Sequence, residues 1–312
     1  MGIYLGLDTS NYRTSCALYD SESGKTKSCR RLLPVKQGER GLRQSDAVFH
    51  HTRQLPELME ELFSEKTELS GCAYSYAPRE VEDSYMPCFL VGEGVGRTIA
   101  AAEKLPLHRT SHQKGHVLAA LYSCGKLELL NSDEPFLAFH VSGGTTDLLL
   151  CRRDEEKVVY LQEIGHSTDL KAGQCIDRAG VSLGLSFPSG EELEKLACKS
   201  ERTFKIRPSV KGLDCSLSGV ENKCMKMLKD GEPHEDIARF CLEYICVTLE
   251  AMTAAALEKY GDMPVIFAGG VMADKLIADK LAARFDAYFA APELSGDNAV
   301  GIAIYAAMKG NS

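Results

Sequence analysis

Two histidines at helical spacing are the residues of this sequence best suited to bind a metal ion. His112 and His116 lie four residues apart, so in a helix both imidazoles point to one face and can bind a single ion. Thr110 or Ser111 would cap the N-terminus of that helix. The same spacing also fits two surface or packed histidines without an ion. Asp297, in the loop before the last predicted helix, is the candidate third ligand.

A glycine-rich turn offers a second kind of chemistry. The segment 142–146, Ser-Gly-Gly-Thr-Thr, joins two apolar runs, and its amides and hydroxyls are not shielded by bulky side chains. Such groups can donate hydrogen bonds to a phosphate, although an ordinary hairpin turn has the same composition. A second turn, Ala268-Gly-Gly270, follows another apolar run and opens a helix. Two such turns favour a bound nucleotide.

The elements around these turns repeat along the chain. Residues 3–7 form an apolar run that ends at Asp8-Thr9-Ser10 and resumes at residues 15–19, which is typical of a strand, a tight polar loop and a returning strand. Residues 136–141 and 148–151 repeat this pattern roughly 130 residues later. We therefore expect a duplicated α/β fold similar to that of actin, hexokinase and Hsp70, with nucleotide between the halves.

Helical periodicity fills the segments between and after the hairpins. The predicted helices cover residues 54–62, 96–104, 172–185, 191–200, 234–260, 273–283 and 298–308. A polar connection at residues 125–134 marks the boundary between the halves. We expect an N-terminal half at residues 1–128, completed by a C-terminal helix at 298–312, and a C-terminal half at 129–297.

Composition limits the location and the partners of the protein. The 36 basic and 44 acidic residues leave a formal charge of -8, so any contact with nucleic acid is expected to be a local basic patch. No signal peptide is expected, and the apolar runs are shorter than a membrane span. The twelve cysteines include no C-x-x-C pair, which is typical of reduced thiols. We expect a cytoplasmic protein with no membrane contact.

In order and type, these motifs resemble the tRNA N6-adenosine threonylcarbamoyltransferase family, once described as glycoprotein endopeptidases. The resemblance covers nearly the full length. The similar segments are residues 6–10, 112–116, 141–144, 173–177, 187–190, 204–208, 213–219, 268–271 and 296–298. It implies transfer of a threonylcarbamoyl group from threonylcarbamoyl-AMP to N6 of adenosine 37 in tRNA. It also implies one iron or zinc ion held by His112, His116 and Asp297.

The resemblance further implies six residues that contact the adenine nucleotide, which would be threonylcarbamoyl-AMP, AMP or ATP. Ser142, Gly143 and Gly144 would bind its phosphate. Asp177 and Gly190 would lie on the ribose side. Asp274 stands where the family has an asparagine on the adenine side.

Four positions near the expected reaction centre depart from the family pattern. Asn11-Tyr12-Arg13 replaces Cys-Asp-Glu, which reverses the charge there. Thr145 replaces a histidine, Gln174 a glutamate and Asp274 an asparagine. Arg13 and Thr145 are therefore the candidate catalytic residues, and the four changes indicate a diverged paralogue.

Two functions remain open at this point. As a transferase, the chain would bind tRNA through a basic patch and would work with a partner subunit that could share its fold. The patch residues, which could equally form a solvated loop, are Arg202, Lys205, Arg207 and Lys211. The alternative is a nucleotide- and metal-binding paralogue that has lost or changed the transfer and acts on another acceptor or as a regulatory or scaffold protein. A zinc protease is rejected, because no glutamate follows His112.

Overall fold

The structure, a computed structural model, describes residues 2–10, 12–34, 42–82, 84–295 and 298–310. The chain divides into two compact units. The N-terminal unit contains residues 1–127, 154–159 and 296–312, and the C-terminal unit contains residues 128–153 and 160–295. The last helix thus belongs to the same unit as the first strand, and so does a short segment from the middle of the chain.

A five-stranded sheet forms the centre of the N-terminal unit, in the order β3-β2-β1-β4-β5. The strands are β1 (Ile3–Ser10), β2 (Arg13–Asp20), β3 (Thr26–Leu32), β4 (Leu69–Ala77) and β5 (Leu107–Ser111). The helices are α1 (Gln44–Leu62), α2 (Phe89–Glu103), α3 (His112–Ser123) and, at the end of the chain, α10 (Asn298–Gly310). The first three strands pair antiparallel, whereas β1, β4 and β5 pair parallel.

Strand β1 is buried on both faces because helices cover both sides of the sheet. On one face, Leu5 and Leu7 share a core cluster with Leu55 and Leu58 of α1. On the other face, Gly6 lies so close to α10 that a Cβ would overlap the carbonyl oxygen of Ala299. The central strand is therefore fixed between α1 and α10.

The C-terminal unit repeats this strand arrangement. Its strands are β6 (Phe136–Val141), β7 (Thr146–Asp154), β8 (Val158–His166), β9 (Val210–Lys211), β10 (Asp214–Cys215), β11 (Val265–Ala268) and β12 (Ala287–Phe289). The main sheet has the order β12-β11-β6-β7-β8, with β6 antiparallel to β7 and parallel to β11. Strands β6, β7, β8, β11 and β12 thus occupy the positions of β1, β2, β3, β4 and β5.

A long central helix forms much of the core of the C-terminal unit. The helices of this unit are α4 (Ala172–Ser182), α5 (Gly190–Ala197), α6 (Ser218–Lys229), α7 (His234–Tyr260), α8 (Lys275–Ala282) and α9 (Pro292–Ser295). By length and composition α7 could cross a membrane, but 67% of its most apolar window is buried inside the structure. Its apolar residues pack with those of α4, α6 and α8 in one core cluster. Its hydrophobicity is thus explained by its position in the core.

A close contact between two helix backbones supports the histidine-bearing helix of the N-terminal unit. At Gly301 of α10, a Cβ would overlap the carbonyl oxygen of Gly115 in α3 and would lie 2.9 Å from the Ala119 nitrogen. Both obstacles are backbone atoms, which cannot rotate away as a side chain can. The distance between α3 and α10 therefore requires glycine at position 301.

We expect Gly301→Ala to lower the free energy of unfolding by about 2–3 kcal/mol, because the added methyl group forces the two helices apart. Gly94→Ala is the matched control, since Gly94 is an exposed glycine of α2 where a Cβ meets nothing within 4 Å. The control should stabilise the protein by about 0.5–1 kcal/mol through helix propensity. Urea unfolding of both variants measures the difference, and equal stability would contradict the packing argument.

Candidate functional site

The two histidines of the predicted metal motif lie side by side on α3. The helix begins directly after β5, and the side chain of Ser111 caps it by accepting a hydrogen bond from the Lys114 nitrogen (3.3 Å). The ring centroids of His112 and His116 are 4.8 Å apart. Both rings are half-buried. The predicted cap at Ser111 and the common face of the two imidazoles are therefore present.

Asp8, to which the sequence analysis gave no role, contacts one of these histidines. Both of its carboxylate oxygens lie 3.1 Å from Nδ1 of His112. The hydroxyl of Ser75 donates a hydrogen bond to the same carboxylate, which is only 1% exposed. Strands β1, β4 and β5 are parallel, so their carboxyl ends lie at the same edge of the sheet. Asp8 lies on β1, Ser75 lies on β4 and His112 directly follows β5. The position of Asp8 at a strand end was the signal that could have found it.

The predicted third metal ligand, Asp297, lies outside the described residues. Within residues 2–10, 12–34, 42–82, 84–295 and 298–310, no group of three or more histidine, cysteine or carboxylate side chains is arranged to hold a metal. The described part of the site therefore consists of His112, His116 and the Asp8 carboxylate behind His112.

The turn that carries Arg13 joins β1 to β2, where Ser10 pairs with Arg13. Asn11 lies outside the described residues, the Tyr12 side chain is 52% exposed, and Arg13 is half-buried. The altered turn thus follows the same strand end that carries Asp8.

A buried histidine supports this turn from α1. His51 Nδ1 lies 2.8 Å from the Thr14 hydroxyl, and His51 Nε2 lies 2.9 Å from the Ser10 carbonyl oxygen. A carbonyl oxygen can only accept, so Nε2 carries the proton and donates it. Burial lowers the pKa of His51 to about 4, which keeps the ring neutral at physiological pH. A neutral imidazole therefore fixes the residues on both sides of the turn.

The predicted phosphate hairpin of the C-terminal unit is organised by Ser142. Its hydroxyl oxygen accepts hydrogen bonds from the nitrogens of Gly144 (3.2 Å) and Thr145 (3.1 Å). A Cβ added at Gly143 or Gly144 meets nothing within 4 Å, so both glycines face open space. The hairpin thus presents glycine backbone on a surface that is open to a ligand.

A histidine missed by the sequence analysis lies beside Thr145. His140, on β6, has its Nδ1 3.2 Å from the Thr145 hydroxyl, which is also 2.7 Å from the Ser142 hydroxyl. An imidazole is therefore present next to position 145, supplied by the neighbouring strand. A histidine at the end of an apolar strand was the available signal.

Helix α4 lies directly against this hairpin. The Gly173 nitrogen donates to the Ser142 carbonyl oxygen (3.1 Å), and the Ala172 nitrogen donates to the Thr146 hydroxyl (2.9 Å). A Cβ at Gly173 would lie 2.6 Å from the Gly143 nitrogen, so this approach requires glycine. The structure thus brings together two segments that the sequence analysis assigned to the nucleotide.

Asp177 and Gly190, both predicted near the ribose, also lie close together. The Asp177 carboxylate on α4 accepts a hydrogen bond from the nitrogen of Ser189 (2.8 Å). Ser189 is fully buried, and Gly190 follows it as the first residue of α5. Ser189 therefore connects the two predicted residues, since it is hydrogen-bonded to Asp177 and directly precedes Gly190.

Asp274 has a different environment from the one expected of a ligand-facing side chain. Its Oδ1 caps α8 by accepting from the Ile277 nitrogen (3.1 Å). Its Oδ2 is buried and has no hydrogen-bond partner within the described residues. Burial raises the pKa of this carboxyl, which is 7% exposed, to about 6. Asp274 therefore acts as a helix cap whose second oxygen is buried without a partner.

The predicted basic patch is partly neutralised. Arg202 forms ion pairs with Glu232 and Asp236 and lies over the Phe204 ring. The other three patch residues are exposed; they are Lys205, Arg207 and Lys211.

Solved structures define the class of fold. The chain is similar to full-length HypF in its phosphate- and nucleotide-bound form, with a TM-score of 0.61 and 12% identity over 99% of this chain and 55% of that one. It is also similar to component A of (R)-2-hydroxyglutaryl-CoA dehydratase from Acidaminococcus fermentans, with a TM-score of 0.57 and 15% identity over both whole chains. The chain is also similar to a ROK family glucokinase from Streptomyces griseus, with a TM-score of 0.53 and 12% identity over 98% of this chain and 99% of that one. The duplicated hexokinase- and actin-like fold is confirmed.

Sequence comparison defines the family. The sequence model of the tRNA N6-adenosine threonylcarbamoyltransferase family matches residues 36–304. The enzyme of that name from Methanopyrus kandleri is 30% identical in an alignment of 276 residues that covers 84% of this chain and 75% of that protein. The chain belongs to this family of tRNA-modifying acyltransferases, which confirms the resemblance and the enzyme class expected from the motifs.

The buried His51 predicts an acid-dependent loss of stability. The unfolded chain takes up a proton at this residue near pH 6.5 and the folded chain only near pH 4, so the free energy of unfolding falls as pH drops between these values. Between pH 7 and pH 4.5 we expect the free energy of unfolding of His51→Gln to fall by about 2–3 kcal/mol less than that of the parent. Exposed His234→Gln is the control and should retain the parental dependence. Urea unfolding at the two pH values measures both, and identical losses for parent and His51→Gln would contradict the assignment.

Proposed function

We propose that this protein transfers a threonylcarbamoyl group from threonylcarbamoyl-AMP to N6 of adenosine 37 in tRNA, with a divalent iron or zinc ion at His112 and His116. Membership of the transferase family supports the reaction. The observation that carries the metal assignment is the adjacent pair of imidazoles with the Asp8 carboxylate behind one of them.

The reaction sets a clear physical requirement. A bond forms between N6 and the carbamoyl carbon, the bond from that carbon to the AMP phosphate oxygen breaks, and one N6 proton is lost. The N6 amine is conjugated with its ring and is a poor nucleophile, so positioning of both substrates contributes much of the rate. A bound metal ion would supply Lewis-acid polarisation of the substrate oxygens.

The residues present fit such an ion. Two imidazoles suit zinc or iron better than magnesium. The Asp8 carboxylate accepts a hydrogen bond from His112 Nδ1. In a neutral ring protonated at Nδ1, Nε2 is the nitrogen that can bind a metal ion. Asp297 is the proposed third ligand.

In the C-terminal unit, we assign the phosphate to the hairpin Ser142–Gly144. Its open glycine backbone and the adjoining N-terminus of α4 favour an anion there. Asp177 and Gly190, which Ser189 joins, would contact the ribose. Asp274 is proposed near the adenine side with its carboxyl as a helix cap. The exposed Lys205, Arg207 and Lys211 would contact tRNA, and we propose a partner subunit that shares the fold.

One observation favours the alternative, a paralogue in which the transfer is lost or changed. Arg13 stands directly after the strand end that carries Asp8, at the position where the family resemblance implies an acid. A guanidinium remains protonated and offers only donors, so it cannot accept the N6 proton. It can bind a carboxylate or phosphate through two hydrogen bonds, which suits a different acyl donor or acceptor.

For the metal, we expect His112→Ala and His116→Ala each to abolish bound iron or zinc, because one imidazole and the proposed Asp297 carboxylate are too few protein ligands to retain the ion. Elemental analysis of the purified proteins measures the metal content. Exposed His234→Ala is the control and should keep the parental content. Stoichiometric metal in the double His112 and His116 variant would refute the site.

For the nucleotide, we expect Gly144→Val to weaken AMP or ATP binding at least about tenfold, because its side chain occupies the space where the phosphate would meet the glycine amides. The fold should tolerate this change, since a Cβ there meets no atom within 4 Å. Gly94→Val, another glycine in open space, is the control. Calorimetric affinity equal to the parent's would remove the phosphate from this hairpin.

For the transfer, we expect the isolated parent to give little or no modified tRNA with threonylcarbamoyl-AMP, because Arg13 cannot accept the N6 proton. The assay compares the purified protein with and without added cell extract, which would supply a partner subunit. One positioned acid–base group contributes about a hundred- to ten-thousandfold in rate, and Arg13→Glu should recover part of it. Exposed Arg97→Glu makes the same change of charge on α2 and should recover none. Robust transfer by the purified parent would establish the ordinary family reaction and rule out the paralogue.

A further inference from the structure

We propose that Asp8 is a positioning residue for the metal site. Its carboxylate fixes His112 in the tautomer that is protonated at Nδ1, so that Nε2 is the nitrogen that would hold the ion. The inference rests on the metal site proposed above and adds a residue to it.

The geometry of the contact sets the position of the proton. Both carboxylate oxygens of Asp8 lie 3.1 Å from His112 Nδ1, so the nitrogen is shared between them. An ionised carboxylate can only accept hydrogen bonds, and the contact is therefore favourable only when Nδ1 carries a proton. In a neutral imidazole, Nε2 then carries the lone pair, and a metal ion binds to the nitrogen that carries it.

The surroundings of Asp8 hold its carboxylate in place. It is buried at the carboxyl end of β1, and the Ser75 hydroxyl of β4 donates to its Oδ1. Lys114, two residues beyond His112 on α3, forms its ion pair with Glu80 (2.9 Å). Two strands therefore fix the carboxylate under the first residue of α3, and the His112 ring is oriented as a consequence.

A neighbouring residue provides a matched control. Thr110 lies on β5, opposite Ser75 in the strand register, and its hydroxyl is buried without a hydrogen-bond partner within the described residues. Thr110→Val keeps the shape of the side chain and removes only this hydroxyl. It therefore changes polarity at the same strand edge while leaving the contact between Asp8 and His112 intact.

The test is a Co²⁺ titration of the full chain, followed by the visible absorbance of the bound ion. We expect Asp8→Asn to bind Co²⁺ about 10- to 100-fold more weakly than the parent, which is the usual effect of removing a partner of a metal-binding histidine. Thr110→Val should bind like the parent. If Asp8→Asn fails to fold, Ser75→Ala, which removes the donor that holds Asp8, should show a smaller loss.

A second readout uses the metal-free parent. Nitrogen-15 NMR of labelled histidines, with His112→Gln to assign the signal, should show His112 protonated at Nδ1 and not at Nε2. Parental Co²⁺ affinity in Asp8→Asn, or a His112 protonated at Nε2, would overturn the role of Asp8 and leave the metal site standing. Absence of Co²⁺ binding by the parent would overturn both.

Discussion

The N-terminal unit depends on one requirement, which is that the buried charge of Asp8 must have hydrogen-bond partners. An unpaired carboxylate in this position would be far too costly, so donors have to reach it from other parts of the chain. Ser75 and His112 do so only if β4 and β5 run parallel to β1 on the same side of it. The observed strand order and the start of α3 at position 112 are therefore both needed for these two contacts.

The C-terminal unit uses the same strand arrangement with a different polar group. Strand β6 occupies the place of β1, but it is followed by Ser142, whose hydroxyl accepts hydrogen bonds from two amides of its own turn. Such a turn is electrically neutral and leaves glycine backbone exposed to an anion, whereas the strand end at Asp8 carries a charge that orients an imidazole. The same strand arrangement thus carries a glycine turn at the strand end in one unit and a buried carboxylate beside an imidazole at the strand end in the other.

Local patterns in the sequence predicted the hairpins and helix α7, because strand alternation and helical periodicity depend on neighbouring residues. Helix α1 begins at Gln44, ten residues before its predicted start, since Pro56 and the polar first turns mask the buried stripe that runs through Ala47 and His51. Strand β3 was missed because it is an exposed, charged edge strand. The strand-end position of Asp8 marks it as a candidate, but its partner could not be predicted, since His112 is 104 residues away and only the fold brings the two together.

The turn that carries Arg13 lies outside the part of the chain that the family model matches. The family match begins at residue 36, after strands β1, β2 and β3, and it establishes the family and the enzyme class. The turn that ends in Arg13 precedes this match and is exposed at Tyr12, where a change of side chain has little effect on packing. His51 is hydrogen-bonded to the Thr14 hydroxyl and the Ser10 carbonyl oxygen at the two ends of the turn. These two contacts do not involve the side chains between Ser10 and Thr14. The scaffold can therefore accept an arginine where an acid is expected, and the side chains of this turn can change while the fold and the strand ends that carry Asp8 and His112 stay the same.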